Sequence, residues 1–134
     1  MEEQRFKLAS DNGEVTWDIS ALIKDIFYKK LFETDKVIFS VPHLCNHTWF
    51  GINEVHAETT DTNNPIIVIE INDKYILIAD GNHRIFKASK MGLKNIEGFL
   101  IPRADQQKYI IDFDLHTYDT VMSELICEGI FIDK

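Results

Sequence analysis

The stretch that decides the fold runs from Pro65 to Ile101 and reads PIIVIEINDKYILIADGNHRIFKASKMGLKNIEGFLI. Its first half contains two runs of isoleucine and other apolar residues, Ile66–Ile71 and Tyr75–Ala79. Short runs of this composition favour β-strands. The turn-forming residues between them, 72–74, therefore predict a β-hairpin.

The second half of this stretch predicts a helix and a return strand. Apolar residues recur at helical spacing from His83 to Met91. Gly92 follows where a glycine commonly ends a helix. Ile96–Ile101 is again apolar, and Pro102 ends it because proline cannot donate a hydrogen bond to a neighbouring strand.

The flanking segments extend this β-β-α-β order. Residues 1–16 are polar and give only a turn signal at 11–13. The remaining segments have short apolar runs or apolar helical faces bounded by capping or turn residues. They predict a helix over Asp18–Phe32 capped by Asp18 or Ser20, a strand over Val37–Val41 ending at Pro42, a short helix or extended segment over Gln106–Asp112, and a helix over Thr120–Cys127 closed by Gly129. The expected class is α+β, a small mixed sheet with flanking helices in one domain over residues 1–134.

Composition and charge exclude several classes of function. The chain has 134 residues, a net charge of -8 and two cysteines. An acidic protein lacks the basic surface that general affinity for nucleic acid or anionic membrane requires. No apolar run is long enough for a membrane span, and the polar start carries no secretory signal. We therefore expect a cytoplasmic protein in which Cys45 and Cys127 are free thiols.

One segment departs from the acidic average. From Asp80 to Lys108 there are six basic and three acidic residues, so this segment carries +3 and the remainder -11. Such a local positive region could bind a small anion. The alternative is a lysine-rich helix face exposed to solvent.

The run Asp80-Gly81-Asn82-His83-Arg84 lies where a predicted strand meets a predicted helix. The first N–H groups of a helix lack intrahelical partners and carry partial positive charge, so they favour anions. Gly81 would allow a ligand to approach the backbone, and His83 and Arg84 could donate to its oxygens. The alternative is a capped turn, with Asn82 as N-cap and Arg84 in a surface ion pair.

These motifs, in this order, resemble the ParB/sulfiredoxin-like superfamily. The likeness covers the hairpin over 65–79, the glycine-containing turn with Arg84, the following helix and the return strand to Ile101. Val37–Val41 would be the first strand. The resemblance implies a ParB/sulfiredoxin-like fold and a site for nucleotide phosphates, with CTP, ATP or ADP as the ligand.

By the same resemblance, Gly81, Asn82, His83 and Arg84 would hold the phosphates. Sulfiredoxins have their working cysteine where this chain has Asn82, and an amide cannot act as that nucleophile. ParB proteins have long DNA-binding regions downstream, and we do not expect them here because the chain continues only about 30 residues beyond Ile101. The Asp-Gly-x-x-Arg form is closest to the small-molecule kinase branch of the superfamily.

A phosphotransferase or hydrolase would need a base for the acceptor and usually a Mg²⁺ ion on the phosphates. The candidate catalytic residues are Asp80, His83 and Glu54, the last of which shares a predicted helix face with Glu58. The carboxylates could equally be ordinary surface acids. A nucleotide-sensing module without catalysis is therefore a further possibility.

Two other features point elsewhere. His43, Cys45 and His47 alternate in the chain, and with His56 they would supply zinc-type ligands. A packed loop or a pocket wall would explain them equally well, and we expect no metal site.

The C-terminal part is acidic and suggests an inhibitor or immunity-type protein that binds a basic protein partner; its acids are Asp112, Asp114, Asp119, Glu124 and Glu128.

Overall fold

The computed structural model describes residues 4–26, 37–45 and 65–134 of the chain. Its strands are β1 (Arg5–Ser10), β2 (Gly13–Asp18), β3 (Val37–Ser40), β4 (Ile66–Glu70), β5 (Tyr75–Asp80), β6 (Asn95–Ile101) and β7 (Ile132–Asp133). Its helices are α1 (Ile19–Lys24), α2 (Val41–Leu44), α3 (Asn82–Lys90), α4 (Arg103–Gln106), a 3₁₀ turn (Gln107–Tyr109) and α5 (Leu115–Glu128).

A mixed five-stranded sheet organises the described part of the chain. Its strand order is β3-β6-β4-β5-β7. β4 runs parallel to β6, and the other neighbouring strands are antiparallel. Helix α3 connects β5 to β6, which lies on the far side of β4. The α+β class and the mixed sheet predicted from the sequence are therefore confirmed.

The predicted hairpin is present as β4 and β5, with its turn fixed by Asn72. The side-chain Oδ1 of Asn72 accepts hydrogen bonds from the backbone N–H groups of Lys74 and Tyr75, at 2.8 and 3.0 Å. The two strands pair with an irregularity between Ile67 and Val68. The predicted strand near 96–101 and helix near 83–91 also form, each within a residue or two of the expected bounds.

A second hairpin occupies the N-terminal stretch, where the sequence predicted only a turn. β1 and β2 pair in an antiparallel two-stranded sheet around that turn. Phe6 lies opposite Trp17, and Leu8 lies opposite Val15. Leu8, Val15 and Trp17 are buried in the core. The alternation of these apolar residues was the signal for the hairpin.

The large sheet is covered on both faces, as the side chains of β4 show. Ile67 and Ile69 belong to the hydrophobic cluster that includes Trp17 and α5 residues such as Val121. Ile66 and Val68 belong to the cluster on the other face, with residues of α2 and α3. Because β4 is buried on both sides, it reads as a continuous apolar run rather than an alternating one.

The helix boundaries follow their caps. The Asp18 side chain accepts a hydrogen bond from the Ala21 N–H and caps the start of α1, and Asp18 is one of the two predicted caps. The predicted continuation of this helix over 27–32 lies outside the described residues. Pro42 does more than end a strand, since it lies in the first turn of α2, which Ser40 caps. α5 begins earlier than predicted, at Leu115, because Asp114 caps it. No helix among the described residues is long and apolar enough to cross a membrane.

Candidate functional site

The run Asp80–Arg84 lies at one end of the central strand β4. Asp80 ends β5 beside Ile67, and Gly81 is the N-cap of α3 with φ +119° and ψ 12°. As a glycine, this N-cap residue has no side chain that could cap the nine-residue helix. Asn82 is its first residue and not its cap, so the capping role that the sequence offered for Asn82 is wrong.

Arg84 is held by two groups that flank the turn. Its Nη2 donates to Asp80 Oδ2 at 2.8 Å, and its Nη1 donates to the carbonyl oxygen of Pro65 at 2.7 Å. The side chains of Arg84 and Asp80 are only 14% and 28% exposed. The predicted ion pair of Arg84 is therefore present, and it is partly buried rather than on the open surface.

Gly81 is required by packing. A Cβ atom placed on Gly81 would lie 2.4 Å from Ile66 Cγ2 and 2.8 Å from Ile66 Cβ, far inside van der Waals contact. Its positive φ also disfavours an L-residue with a side chain. The sequence interpretation, that Gly81 leaves room for a ligand, is thus not needed to explain the glycine. Gly81 allows the chain to turn sharply from β5 into α3 while packing against β4.

The candidate catalytic residues are only partly brought together. Asp80 and His83 share the turn, and both are half-buried. Glu54, together with Glu58, lies outside the described residues. Asp80 Oδ2 is already engaged by Arg84, so this carboxylate orients the arginine in addition to any role towards an acceptor.

The basic segment over 80–108 does not form one surface. Arg84 pairs with Asp80 at the start of β4. Arg103 lies beyond the other end of β4, where its backbone N–H donates to Glu70 at 3.3 Å and its guanidinium pairs with Asp119 at 3.4 Å. Clustering along the sequence therefore overstates clustering in space.

The two cysteines and the histidine–cysteine motif have ordinary surroundings. Cys45 is half-buried, Cys127 is exposed, and both are free thiols as predicted. A ring nitrogen of His43 lies 2.6 Å from the carbonyl oxygen of Asp133 and ties α2 to β7. His47 and His56 fall outside the described residues. Within the described ranges no three His, Cys, Asp or Glu side chains form a group that could hold a metal ion.

A groove that no sequence motif indicates lies at the opposite end of β4. It has a volume of about 940 Å³ and is lined by residues from Glu70 to Asp73, from α4 and the segment after it, and from α5. Tyr118, which lines it, is 3% exposed, and its hydroxyl has no hydrogen-bond partner in the described part of the chain. No contiguous motif marks this groove, because three separate segments form its walls.

Comparisons of the chain with protein-family models, with curated proteins and with solved structures return no match. The ParB/sulfiredoxin-like resemblance accordingly stays a prediction from the motifs.

Proposed function

We propose that this chain binds the phosphate groups of a nucleoside di- or triphosphate, such as ATP, ADP or CTP, at the start of α3. The supporting observation is the start of a nine-residue helix whose N-cap, the left-handed Gly81, has no side chain to cap it. The helix dipole and the first-turn N–H groups of such a helix favour an anion. Asn82 and His83 would contribute backbone donors, and the His83 ring a side-chain donor.

Arg84 and Asp80 set the charge at this site. A guanidinium can bind phosphate oxygens through two parallel hydrogen bonds, and Arg84 lies in the first turn of α3. Its Nη2 currently bonds to Asp80 Oδ2. A phosphate would therefore compete with the Asp80 carboxylate for the guanidinium and be repelled by its charge. In this proposal, the Asp80 carboxylate lowers the affinity of the site for phosphate.

Catalysis is a further step within the same proposal. A phosphotransferase or hydrolase would use His83 or Asp80 as base, with Mg²⁺ on the phosphates. The turn itself offers one carboxylate, and a Mg²⁺ ion bound with the nucleotide would take its other oxygens from phosphates and water. Binding is therefore tested first, and product analysis after incubation with ATP then separates an enzyme from a binding module.

Isothermal titration calorimetry with ATP, ADP and CTP, with and without Mg²⁺, tests the proposal. We expect Arg84→Ala to weaken binding about ten- to a hundredfold, since a charge-assisted contact contributes roughly 1.5–3 kcal/mol. We expect Asp80→Asn to strengthen binding, because it removes the competing carboxylate.

Lys94→Ala is the matched control, because it removes an exposed positive charge beyond the C-terminal end of α3. It should change affinity less than about twofold. Thermal unfolding of each variant establishes that it is folded. The proposal is wrong if no nucleotide binds the wild type, or if folded Arg84→Ala binds as tightly as wild type.

A further inference from the structure

The groove at the far end of β4 has an apolar floor. Six of its lining residues are large hydrophobic side chains, from the residue after β4, the segment before α5, and α5 itself: Ile71, Ile110, Phe113, Leu115, Met122 and Ile126. Leu115, Met122 and Ile126 recur at helical spacing and form a stripe along the side of α5 that lines the groove, where Met122 is only 4% exposed. At 1.5 Å per residue the stripe is about 16 Å long. Leu115 at its start is 55% exposed, so the groove is open at this end.

Tyr118 places a polar group without a partner in this apolar setting. Its ring and hydroxyl are buried, and the hydroxyl forms no hydrogen bond to any described residue. The Arg103 guanidinium lies 5.1 Å from the ring centroid, and as a donor and a cation beside the hydroxyl oxygen it acts to lower the pKa of Tyr118, against the larger effect of burial. Burial raises the pKa of Tyr118 above its usual value, so the hydroxyl keeps its proton at neutral pH and can donate it to an acceptor.

The charged residues around the groove are mainly acidic. Among the described residues, Glu70, Asp73 and Asp119 line it together with one cation, Arg103. Glu70 is paired with Lys134, and Asp119 with Arg103, so Asp73 adds uncompensated negative charge. The whole chain carries -8. This charge favours an occupant with basic side chains.

We propose that this groove binds a basic, amphipathic segment of a partner protein. Apolar side chains of the segment pack along the α5 stripe, and its lysines or arginines face Asp73 and Asp119. One of its backbone carbonyl groups accepts a hydrogen bond from the Tyr118 hydroxyl. A stripe of about 16 Å matches about five extended residues or three helical turns, which suits a peptide segment.

The groove is separate from the nucleotide site proposed at the start of α3. The groove begins at Glu70, whereas Arg84 bonds to Pro65 at the start of β4. The length of β4 between Ile66 and Glu70 is roughly 13 Å. A ligand at one end therefore leaves the other end accessible, and nucleotide should not displace the peptide.

The probes are three fluorescent peptides of about 12 residues with the same amphipathic spacing. One combines leucine with lysine, one leucine with glutamate, and one serine with lysine. In fluorescence anisotropy at physiological ionic strength, we expect the leucine–lysine peptide to bind about tenfold or more tightly than either of the others. Equal binding of the serine–lysine peptide would overturn the proposal, because it would reduce the interaction to non-specific charge attraction.

Variants then locate the binding surface. Leu115→Asp should weaken binding of the leucine–lysine peptide about tenfold or more. Met91→Asp is the matched control, since Met91 is 57% exposed but lies just beyond the C-terminal end of α3. It should leave binding unchanged. Equal losses in both variants would contradict a groove that ends at Leu115.

A pair of tyrosine variants tests the hydroxyl itself. Tyr118→Phe should weaken peptide binding several-fold while the melting temperature stays the same or rises, because the variant removes an unpartnered buried hydroxyl. Tyr109→Phe removes a hydroxyl that donates to Asp25 Oδ2 at 2.6 Å. It should lower the melting temperature and leave peptide binding unchanged. If Tyr118→Phe binds the peptide as tightly as wild type, the proposed hydrogen bond does not form.

Discussion

At the scale of single residues, Gly81 determines how β5 joins α3. Its backbone enters the helix at φ +119°, and its missing side chain lets Ile66 pack against it. Both requirements select glycine, but they have different origins. The first is a property of the backbone, and the second is a contact with a neighbouring strand.

Replacement of Gly81 by alanine separates these two contributions. The backbone strain of a side chain at positive φ costs about 1–2 kcal/mol, and overpacking against Ile66 adds roughly 1–3 kcal/mol. Gly81→Ala should therefore lower the free energy of unfolding by about 2–5 kcal/mol in urea denaturation. Gly92→Ala, at φ +73° with no atom within 4 Å of the added Cβ, should show only the strain. Equal losses in the two variants would mean that Ile66 yields without cost.

Some side-chain contacts of the site could be predicted from the sequence, and others could not. The pairing of Asp80 with Arg84 follows from their spacing at the start of a helix. The contact between Gly81 and Ile66 does not, because it depends on the position of a neighbouring strand. The Tyr118 hydroxyl without a partner is likewise a consequence of packing.

Among the helices and strands, those whose whole pattern lies in one continuous stretch of sequence could be predicted, and the others could not. The order β4–β5–α3–β6 was predicted because one continuous stretch of sequence contains the patterns of all four elements. The β1–β2 hairpin carried a usable alternation at Phe6, Leu8, Val15 and Trp17, but each strand contributes only two of these residues, so the pattern is short. The groove has no local signal at all, since segments distant in sequence form it.

Gln106 joins elements that would otherwise meet only through apolar contacts. It is 1% exposed, and its amide makes hydrogen bonds to three partners. Oε1 accepts from Trp17 Nε1 at 3.1 Å, and Nε2 donates to the carbonyl oxygens of Glu70 and Ile101 at 2.8 and 2.9 Å. One side chain in α4 thus links β2 to the ends of β4 and β6.

Truncation of Gln106 should therefore be costly. Gln106→Ala leaves the Trp17 N–H and two backbone carbonyls without their partner, and each unsatisfied buried group costs about 1–3 kcal/mol. We expect a loss of at least about 3 kcal/mol in the free energy of unfolding, measured by chemical denaturation. Gln107→Ala, at the exposed neighbouring residue, should stay within about 0.5 kcal/mol of wild type. Similar values for the two variants would contradict the role of this hydrogen-bond network.

Across the whole molecule, ion pairs join charged residues of different secondary-structure elements. The C-terminal Lys134 side chain bonds to Glu70 at the end of β4, and the Lys134 backbone N–H donates to the Lys74 carbonyl. The end of the chain is thereby tied to the central hairpin beside the groove. The hydrogen bond from Lys134 is the main cause that lowers the pKa of Glu70, and the Arg103 backbone N–H acts in the same direction.

This pairing predicts how stability depends on pH. Because the pKa of Glu70 is lower in the folded chain than its ordinary value of 4.5, the folded state binds fewer protons than the unfolded state in that range. The stabilisation is therefore present above pH 4.5 and is lost as the pH falls through the folded pKa. Lys134→Ala should raise the pKa of Glu70 towards 4.5, as measured by NMR titration of the carboxyl carbon.

The same variant should lower the unfolding free energy near pH 7, with a difference from wild type that shrinks as the pH falls through the folded pKa of Glu70. Lys74→Ala, which removes an exposed charge from the adjacent turn and keeps the backbone bond to Lys134, should leave the pKa of Glu70 lowered. If the Lys134→Ala difference persisted undiminished in acid, the C-terminal contact would stabilise the chain by packing, and the ion pair with Glu70 would not be its cause.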